Sequence, residues 1–499
     1  MGGVSFNNIP NDLRTPLFFV ELDNSMANTA TQTQRTLLIG QITSEGTAEA
    51  NVPVRVSSVS TVTGLCGQGS MLHTMMAKYL DNDNFAEIWI LPLADDAAEM
   101  TQATGSISVD SVASEDGIIS LYIAGVRVRL TVKSTYTQDV IATDLAARIN
   151  ANADLPVVAT VLDNVISLKS KNYGAIGNSI DLRLNYLGQA GGESIPAGLT
   201  LTITPMANGA GAPLLTTALA NLQDRAFDFI VNPYTDTTSL NDLRDFLSDN
   251  NGRWSWDKQI YGHSFSVVKD TYGGLSTLGE SRNNQHETIW GVYDSPNTSY
   301  DLVAAYVGAI AQAIRNDPAR PTQTLQVVSV LAPPLQSRFS LTERNNLLYS
   351  GISTYVVADD DTIQVENTIT TYQKNKFGAA DNSYLQIETL YTLMYVNRFM
   401  KTQITSKFAR MKLADDGTRF AAGQAIVTPS IIKAELIAQF RTLEFNGYVQ
   451  GAAAFAKEII VERDTGNPNR VNVVWPGTLI NQLRIFAVLN QFRLNTSEQ

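Results

Sequence analysis

The feature that most restricts what this chain can become is an alternation of short apolar runs with stretches of helical periodicity, broken once by a long strand-rich segment. From TLLIGQI (36–42) onward, the runs AEIWILPL (86–93), FDFIVNPY (227–234), IYGHSFSV (260–267), ETIWGVY (287–293), LQVVSVL (325–331) and STYVVA (353–358) have the length and character of strands. Between them lie SMLHTMMAKYL, LTTALANLQ, LNDLRDFLSD and DLVAAYVGAIAQAI, which read as helices. Such alternation is the mark of parallel βα units. The expected fold class is an α/β core sheet flanked by helices, with an inserted β-rich domain and an α+β C-terminal domain.

The insertion spans about Gly105 to Pro205, where the pattern turns mostly to strands: GSISVDSV, GIISLYI, VRVRLTV, PVVATVL, VISLKSK, IDLRLNYL and LTLTITP. Asp163-Asn164 between two of these is a hairpin signal, weaker than Asn-Gly. One helix, DVIATDLAARIN, places Ile141, Leu145 and Ile149 on a single face. After about Asn375 a long amphipathic helix carries Leu390, Met394, Ile404, Phe408 and Met411 on one stripe. A second helix starts with Thr428 as N-cap and Pro429 in its first turn, and carries Ile432, Leu436, Phe440 and Leu443. KEIIVER, DTGNPNR and VNVVW then read as a hairpin. The expected division begins with an N-terminal arm and tether (1–35). An α/β core follows in two stretches (36–104 and 206–375) that flank the β-rich outer insert (105–205). A C-terminal α+β assembly domain (376–480) and a C-terminal arm (481–499) complete the chain.

Both ends are unusual in carrying apolar strand-formers, since chain ends are commonly polar and frayed. TPLFFVEL (15–22) precedes a polar, aperiodic DNSMANTATQTQR (23–35), a tether that reaches about 40 Å when extended. NQLRIFAVLNQFRL closes the chain as a second apolar strand with little after it. Such a strand either tucks into its own domain or is donated to a neighbour's sheet edge. Composition alone favours tucking. Donation from both ends would make head-to-tail contacts, which generate rings or open helical filaments.

Charge and composition remove several function classes. Lys plus Arg number 36 against 48 Asp plus Glu, a net charge of −12 with no basic cluster. A phosphate-binding surface needs concentrated positive charge, so direct nucleic-acid binding and attraction to anionic membranes are disfavoured. The most apolar helical stretch, LVAAYVGAIAQAI (302–314), falls short of the roughly 20 residues of a membrane crossing and reads as a core helix. No membrane insertion is expected. Cys66 is the single cysteine, which leaves no intrachain disulfide. The start, MGGVSFNNIPNDLR, has no cationic region followed by an apolar run and does not read as a signal peptide.

Catalytic and cofactor signals are weak. His73, His263 and His286 are the only histidines. GHSFS (262–266) falls one residue short of a nucleophile elbow, because Ser266 stands where the second glycine belongs. A hydrolase built on Ser264 is the competing enzyme reading, and a buried strand end the plainer one. GQGSML (67–72) begins like a dinucleotide fingerprint, but Leu72 replaces the last glycine, so a tight turn into a helix is expected. Asp359, Asp360 and Asp361 read as a solvated loop ahead of a cation site. Met71, Met75 and Met76 read as adaptable core packing. No catalytic residue, cofactor or metal site is expected.

Several segments together resemble the tail sheath proteins of contractile-tailed phages, most closely the Mu-like group. They are SFNNIPNDLRTPLFFVELDNS, PVRVSSV followed by GQGSML, ETIWGVYDSP, RTLEFNGYVQGAAAFAKE and NPNRVNVVWPGTLINQLRIFAVLNQFRL. The resemblance covers nearly the whole chain, with the C-terminal segment its most specific stretch and the insert its least. It implies a structural subunit, not an enzyme, that polymerises with itself as stacked six-fold rings around a tail tube. It further implies contraction on a baseplate signal, driving the tube through the host envelope for genome ejection. Tail tube, baseplate and tail terminator proteins are the implied partners, and the virion tail, assembled in the bacterial host cytoplasm, the implied location. The sheath of a phage-tail-like bacteriocin is the alternative. The implied self-assembly arms are Pro16, Leu17, Phe18, Phe19, Val20 and Leu22 at one end, and Leu483, Ile485, Phe486, Val488, Leu489, Phe492 and Leu494 at the other.

Overall fold

A computed structural model describes residues 34–494. The N-terminal arm residues Pro16 to Leu22 lie outside the described residues.

The main body is a nine-stranded sheet. Its spatial order is Gln326–Val327, Ile363–Asn367, Ile352–Val357, Glu287–Val292, His263–Lys269, Phe229–Val231, Arg35–Gln41, Glu87–Leu93 and Val54–Val56. From Ile352–Val357 through Glu87–Leu93 all neighbours are parallel, while both margins are antiparallel. The parallel strands are covered on both faces, so consecutive residues are buried instead of alternate ones: Leu37, Leu38 and Ile39 are fully buried, as are Ile90 and Leu91. Two strands are shorter than their apolar runs suggest. After Val231 the Asn232 side chain bonds the amide and carbonyl of Tyr234, turning the chain out of the ladder. After Val327, the Asn82 side chain takes both the amide and the carbonyl of Val328, and Ser329 adopts φ 69°.

Helix Ser299–Asn316 runs through the middle of this core, capped by the Thr298 hydroxyl, which accepts from the Asp301 amide at 3.2 Å. Leu302, Val303, Tyr306, Val307 and Ile310 are fully buried, and Tyr306 stacks on Trp290 at 4.4 Å. It packs against helix Met71–Asn82 so closely that a Cβ at Gly308 would lie 2.8 Å from the Tyr79 carbonyl oxygen. No described helix is long and apolar enough to cross a membrane.

A second, separate core lies among residues 103–206. A four-stranded antiparallel sheet (Thr200–Ala207, Gln102–Ser111, Val165–Tyr173, Val157–Leu162) and a three-stranded one (Val126–Val132, Gly117–Ile123, Leu182–Leu184) accompany helix Gln138–Ala151. Ile107, Leu121, Ile141, Leu145, Ile149 and Ile166 are fully buried together. Asp163 adopts φ 53° and Leu162 pairs with Val165, so Asp163-Asn164 does form the tight turn of a hairpin. The chain enters and leaves this region side by side, with Thr101 and Ala210 exchanging backbone bonds at 3.0 and 3.3 Å.

The seam between this region and the main body is polar. Asn172 accepts from the Met71 amide at 2.8 Å and donates to the Ile42 carbonyl and to Asp95. Lys269 donates to the carbonyls of Ser179 and Asn297 at 3.0 and 2.9 Å. Arg183 bridges Asp181 and Asp294, and Tyr186 donates to the Ala332 carbonyl.

Helix Ile387–Phe408 begins in the main core, where Ile387, Tyr391 and Met394 are buried, and ends against a third cluster built on helix Pro429–Phe445. Arg398 pairs with the buried Asp228, and the Tyr391 hydroxyl donates to the Asp228 carbonyl at 2.8 Å. Two expectations fail in detail. Met411 lies beyond this helix and is 41% exposed, because the helix stops at Phe408. Thr428 holds the N-cap position but bonds the Ser430 hydroxyl instead of capping; Asp416 accepts from the Ser430 amide at 3.0 Å and takes over that task.

Candidate self-assembly surface

Residues 481–494 form no strand within this chain. A strand exists only as a member of a ladder, and no described edge of the chain pairs with this segment. Nor is it tucked into a core, the arrangement that composition favours. Leu483 is 69% exposed, Ile485 and Phe486 83%, Val488 69%, Leu489 84%, Phe492 77% and Leu494 90%. Proteins seldom leave so continuous an apolar run in water without a partner for it.

The segment is nevertheless anchored at its root. Thr478–Leu479 pairs with Val449–Gln450, and the Ile480 amide donates to the Tyr448 carbonyl at 3.1 Å. The Gln323 side chain then donates to the Leu483 carbonyl at 3.3 Å. Arg484 forms an ion pair with Glu388, whose side chain is wholly buried in the first turn of Ile387–Phe408. The positive end of that helix favours a carboxylate there. The other Glu388 oxygen accepts from the Thr322 amide and hydroxyl at 2.8 and 2.9 Å. The Thr322 hydroxyl lies 3.0 Å from that of Thr368, which lies 2.9 Å from that of Tyr306. Beyond Arg484, none of residues 485–494 makes a hydrogen bond among the described residues.

Residue-type reasoning does not single out Arg484 or Glu388. A lone arginine in an apolar run says nothing of its partner, and a first-turn glutamate looks like ordinary helix-dipole decoration. The only signal was Arg484 itself, a charge at odds with the run around it.

A second open surface belongs to the hairpin Ile460–Arg463 with Val471–Val474. It forms a sheet of two strands, packed through Val461 and Val471 on the third cluster, with both outer edges unpaired among the described residues. Ile460, Val473 and Val474 are 51%, 42% and 57% exposed. A two-stranded sheet is marginal by itself, and its free edges are templates for further strands.

The enzyme reading fails on geometry. Ser264 lies inside strand His263–Lys269 rather than at a strand-to-helix turn, it is buried, and its hydroxyl has no hydrogen-bond partner among the described residues. The histidines are each used structurally. His263 bonds Thr288 at 2.8 Å, and burial drives its pKa well below the ordinary value. His286 bonds Asp249 and stacks on Trp254, while His73 accepts from the Gly69 amide at 3.1 Å. Gly67 and Gly69 adopt φ 87° and 72°, turning the chain into Met71–Asn82, which Ser70 caps. A Cβ at Gly69 would lie 2.3 Å from Lys171 Nζ, so the insert packs where a phosphate would need to sit. Asp361 pairs with Arg338 and Asp360 accepts from the Thr362 amide in an exposed loop. Among the described residues no acidic, histidine or cysteine cluster is placed to hold a metal. Met71, Met75 and Met76 are buried in the main core, as is Cys66, whose thiol burial pushes up to about 12.

Comparison with known proteins completes the assignment. The Mu-like prophage FluMu tail sheath protein of Haemophilus influenzae is 43% identical over 493 residues, covering 98% of this chain and 100% of that protein. The phage tail sheath protein central domain matches residues 208–371, and the phage tail sheath C-terminal domain matches 379–493. The crystal structure of a sheath tail protein from Desulfitobacterium hafniense is 13% identical with TM-score 0.49, covering 94% of this chain and 97% of that one. The contracted helical sheath of the anti-feeding prophage is 10% identical with TM-score 0.47, covering 97% and 100%. On the near full-length identity and the two domain matches, this chain belongs to the phage tail sheath family, within the Mu-like group, and is a structural protein of a contractile tail, not an enzyme.

Proposed function

We propose that this chain polymerises as stacked six-fold rings around an inner tail tube and contracts to drive that tube through the host envelope for genome ejection. Neighbouring subunits are joined by the arms, Pro16 to Leu22 and Leu483 to Leu494, each donated to a sheet of another copy. The hairpin Ile460–Arg463 with Val471–Val474 is the acceptor in this reading. Baseplate and terminator proteins meet the ends of the polymer, which assembles in the bacterial host cytoplasm. The observation that carries the reading is the C-terminal run of exposed apolar side chains in a chain that also holds a two-stranded sheet with open edges.

The energetics explain why a sheet edge is needed. Covering seven large apolar side chains contributes roughly 1.5 to 3 kcal/mol each. Fixing the backbone of the same segment costs about 1 to 2 kcal/mol per residue. The two nearly cancel, so burial alone would hold the arm weakly. Backbone pairing along an edge supplies both the remaining affinity and the register. Contraction is then a change between two packings of rigid bodies, with the arms as hinges.

Negative-stain electron microscopy of the purified protein at neutral pH tests the reading. Hollow tubes or stacked rings are expected without nucleic acid or cofactor. Deleting residues 1–34 is expected to leave a folded, soluble subunit that makes no long tubes; normal tube length in that variant would refute the N-terminal arm.

A further inference from the structure

We infer that the Arg484–Glu388 pair is a latch that fixes where the C-terminal arm leaves the subunit, so that Thr478–Arg484 is a strap belonging to the body and the donated arm starts at Ile485. The inference rests on the arm reading above, shortens that arm by returning Leu483 and Arg484 to the body, and adds the residue that aims it.

Two sets of contacts lead to it. Upstream of Ile485, the strap is tied to both regions of the molecule that it crosses. Its first residues pair with Val449–Gln450 beside the third cluster, and its last reach the main body through Gln323 and Glu388. The return path matters because helix Ile387–Phe408 is the outgoing connection between the same two regions. Strap and helix together close a loop, and the pair joins the strap's last residue to the helix's first turn.

Downstream, the hydrogen bonds stop among the described residues. Ile485 is 83% exposed, whereas the Arg484 side chain beside it is 16% exposed and Glu388 is wholly buried. Among the described residues Arg484 is the only cation paired with Glu388, whose second oxygen is taken by Thr322, behind which stand the hydroxyls of Thr368 and Tyr306. A buried carboxylate without its cation is strongly disfavoured. Pulling the arm from its root would expose that deficit, so strain on the arm is borne at Arg484 and the arm pivots at Ile485. With ten residues from 485 to 494, its described reach is at most about 35 Å.

Limited trypsin digestion of the unassembled full-length chain reads the latch directly, because trypsin must take up the guanidinium that Glu388 holds. Arg493 is exposed and serves as the internal reference. Cleavage after Arg493 is expected at least tenfold faster than after Arg484. In Glu388→Gln, which retains an oxygen for Thr322, cleavage after Arg484 is expected to rise at least tenfold, and tubes are expected to become short or irregular. Equal cleavage at the two arginines in the unmutated chain overturns the latch, and this comparison stands even if the variant does not fold. An unchanged rate after Arg484 in a folded Glu388→Gln, or faster cleavage with normal tubes, overturns it as well. Failure of the arm reading itself shows differently: deletion of 485–499 would then leave tube length normal, while the full-length chain still shows slow cleavage after Arg484 relative to Arg493.

Discussion

The inserted region and the C-terminal arm are both rich in apolar strand-formers, yet one buries them and the other leaves them in water. In the insert, strands alternate with turns such as Asp163-Asn164, so each strand finds a neighbour within a few residues, and Ile107, Leu121 and Ile166 are fully buried. The arm holds a comparable run in Ile485, Phe486, Val488 and Leu489, but no turn and no second strand follow within the described residues. The contrast teaches that apolar patterning specifies a strand only together with the segment that pairs with it. Where the pairing segment is local, a domain closes on itself. Where it is not, the pattern becomes a demand for another chain.

The largest expected effect separates the two regions outright. Deleting 485–499 is expected to abolish tube formation with little change in the urea midpoint, whereas replacing 105–205 by a short linker is expected to leave a folded core. The side-by-side entry and exit at Thr101 and Ala210 make that excision geometrically simple. Global unfolding of the excised protein would collapse the comparison, since the insert would then contribute to the main core's stability.

A smaller effect tests whether the insert stabilises itself. Leu145→Ala, at a fully buried site on the helix face with Ile141 and Ile149, is expected to cost about 2 to 5 kcal/mol within that region. Phe486→Ala, at a side chain 83% exposed, is expected to leave subunit stability unchanged within about 0.5 kcal/mol. Chemical denaturation followed by hydrogen exchange would locate the loss. A Phe486→Ala variant that destabilises the isolated subunit would show that the arm packs on its own chain after all.

The smallest effect concerns the seam. Asp95 accepts from Gln41, Asn172 and the Tyr173 amide, but burial outweighs these bonds and raises its carboxyl to about 6. A carboxyl raised in the folded state favours folding below its ordinary value of 3.8 and loses that contribution as pH rises through about 6. The stability difference between the unmutated protein and Asp95→Asn should therefore fall by about 1 to 2 kcal/mol between pH 4 and pH 7. A difference constant with pH would remove Asp95 as a titrating group of the seam.

Much of the fold was readable because periodicity is a local property. The runs at 117–123 and 126–132 match strands Gly117–Ile123 and Val126–Val132 to the residue, and DVIATDLAARIN lies within helix Gln138–Ala151. Failures fell where a side chain from elsewhere captured the backbone. Asn82 ended the strand at Val327, and Asp416 displaced Thr428 as the effective cap. Neither partner lies close enough in sequence for a pattern to reveal it.

The function was legible by a different route. Residue types disfavoured nucleic-acid binding and offered no catalytic set, but the sheath family came from resemblance, and the 43% identical relative established it. Order and type of the elements, the apolar faces and the acidic net charge follow from the chain's own succession of residues, because each depends on neighbours a few positions away. Strand order in the nine-stranded sheet, the burial of Glu388 and the pairing of Arg484 across 96 positions depend on which surfaces meet when the whole chain packs. Long-range contacts of that kind are set by the summed free energy of the entire fold, which no single stretch of sequence contains.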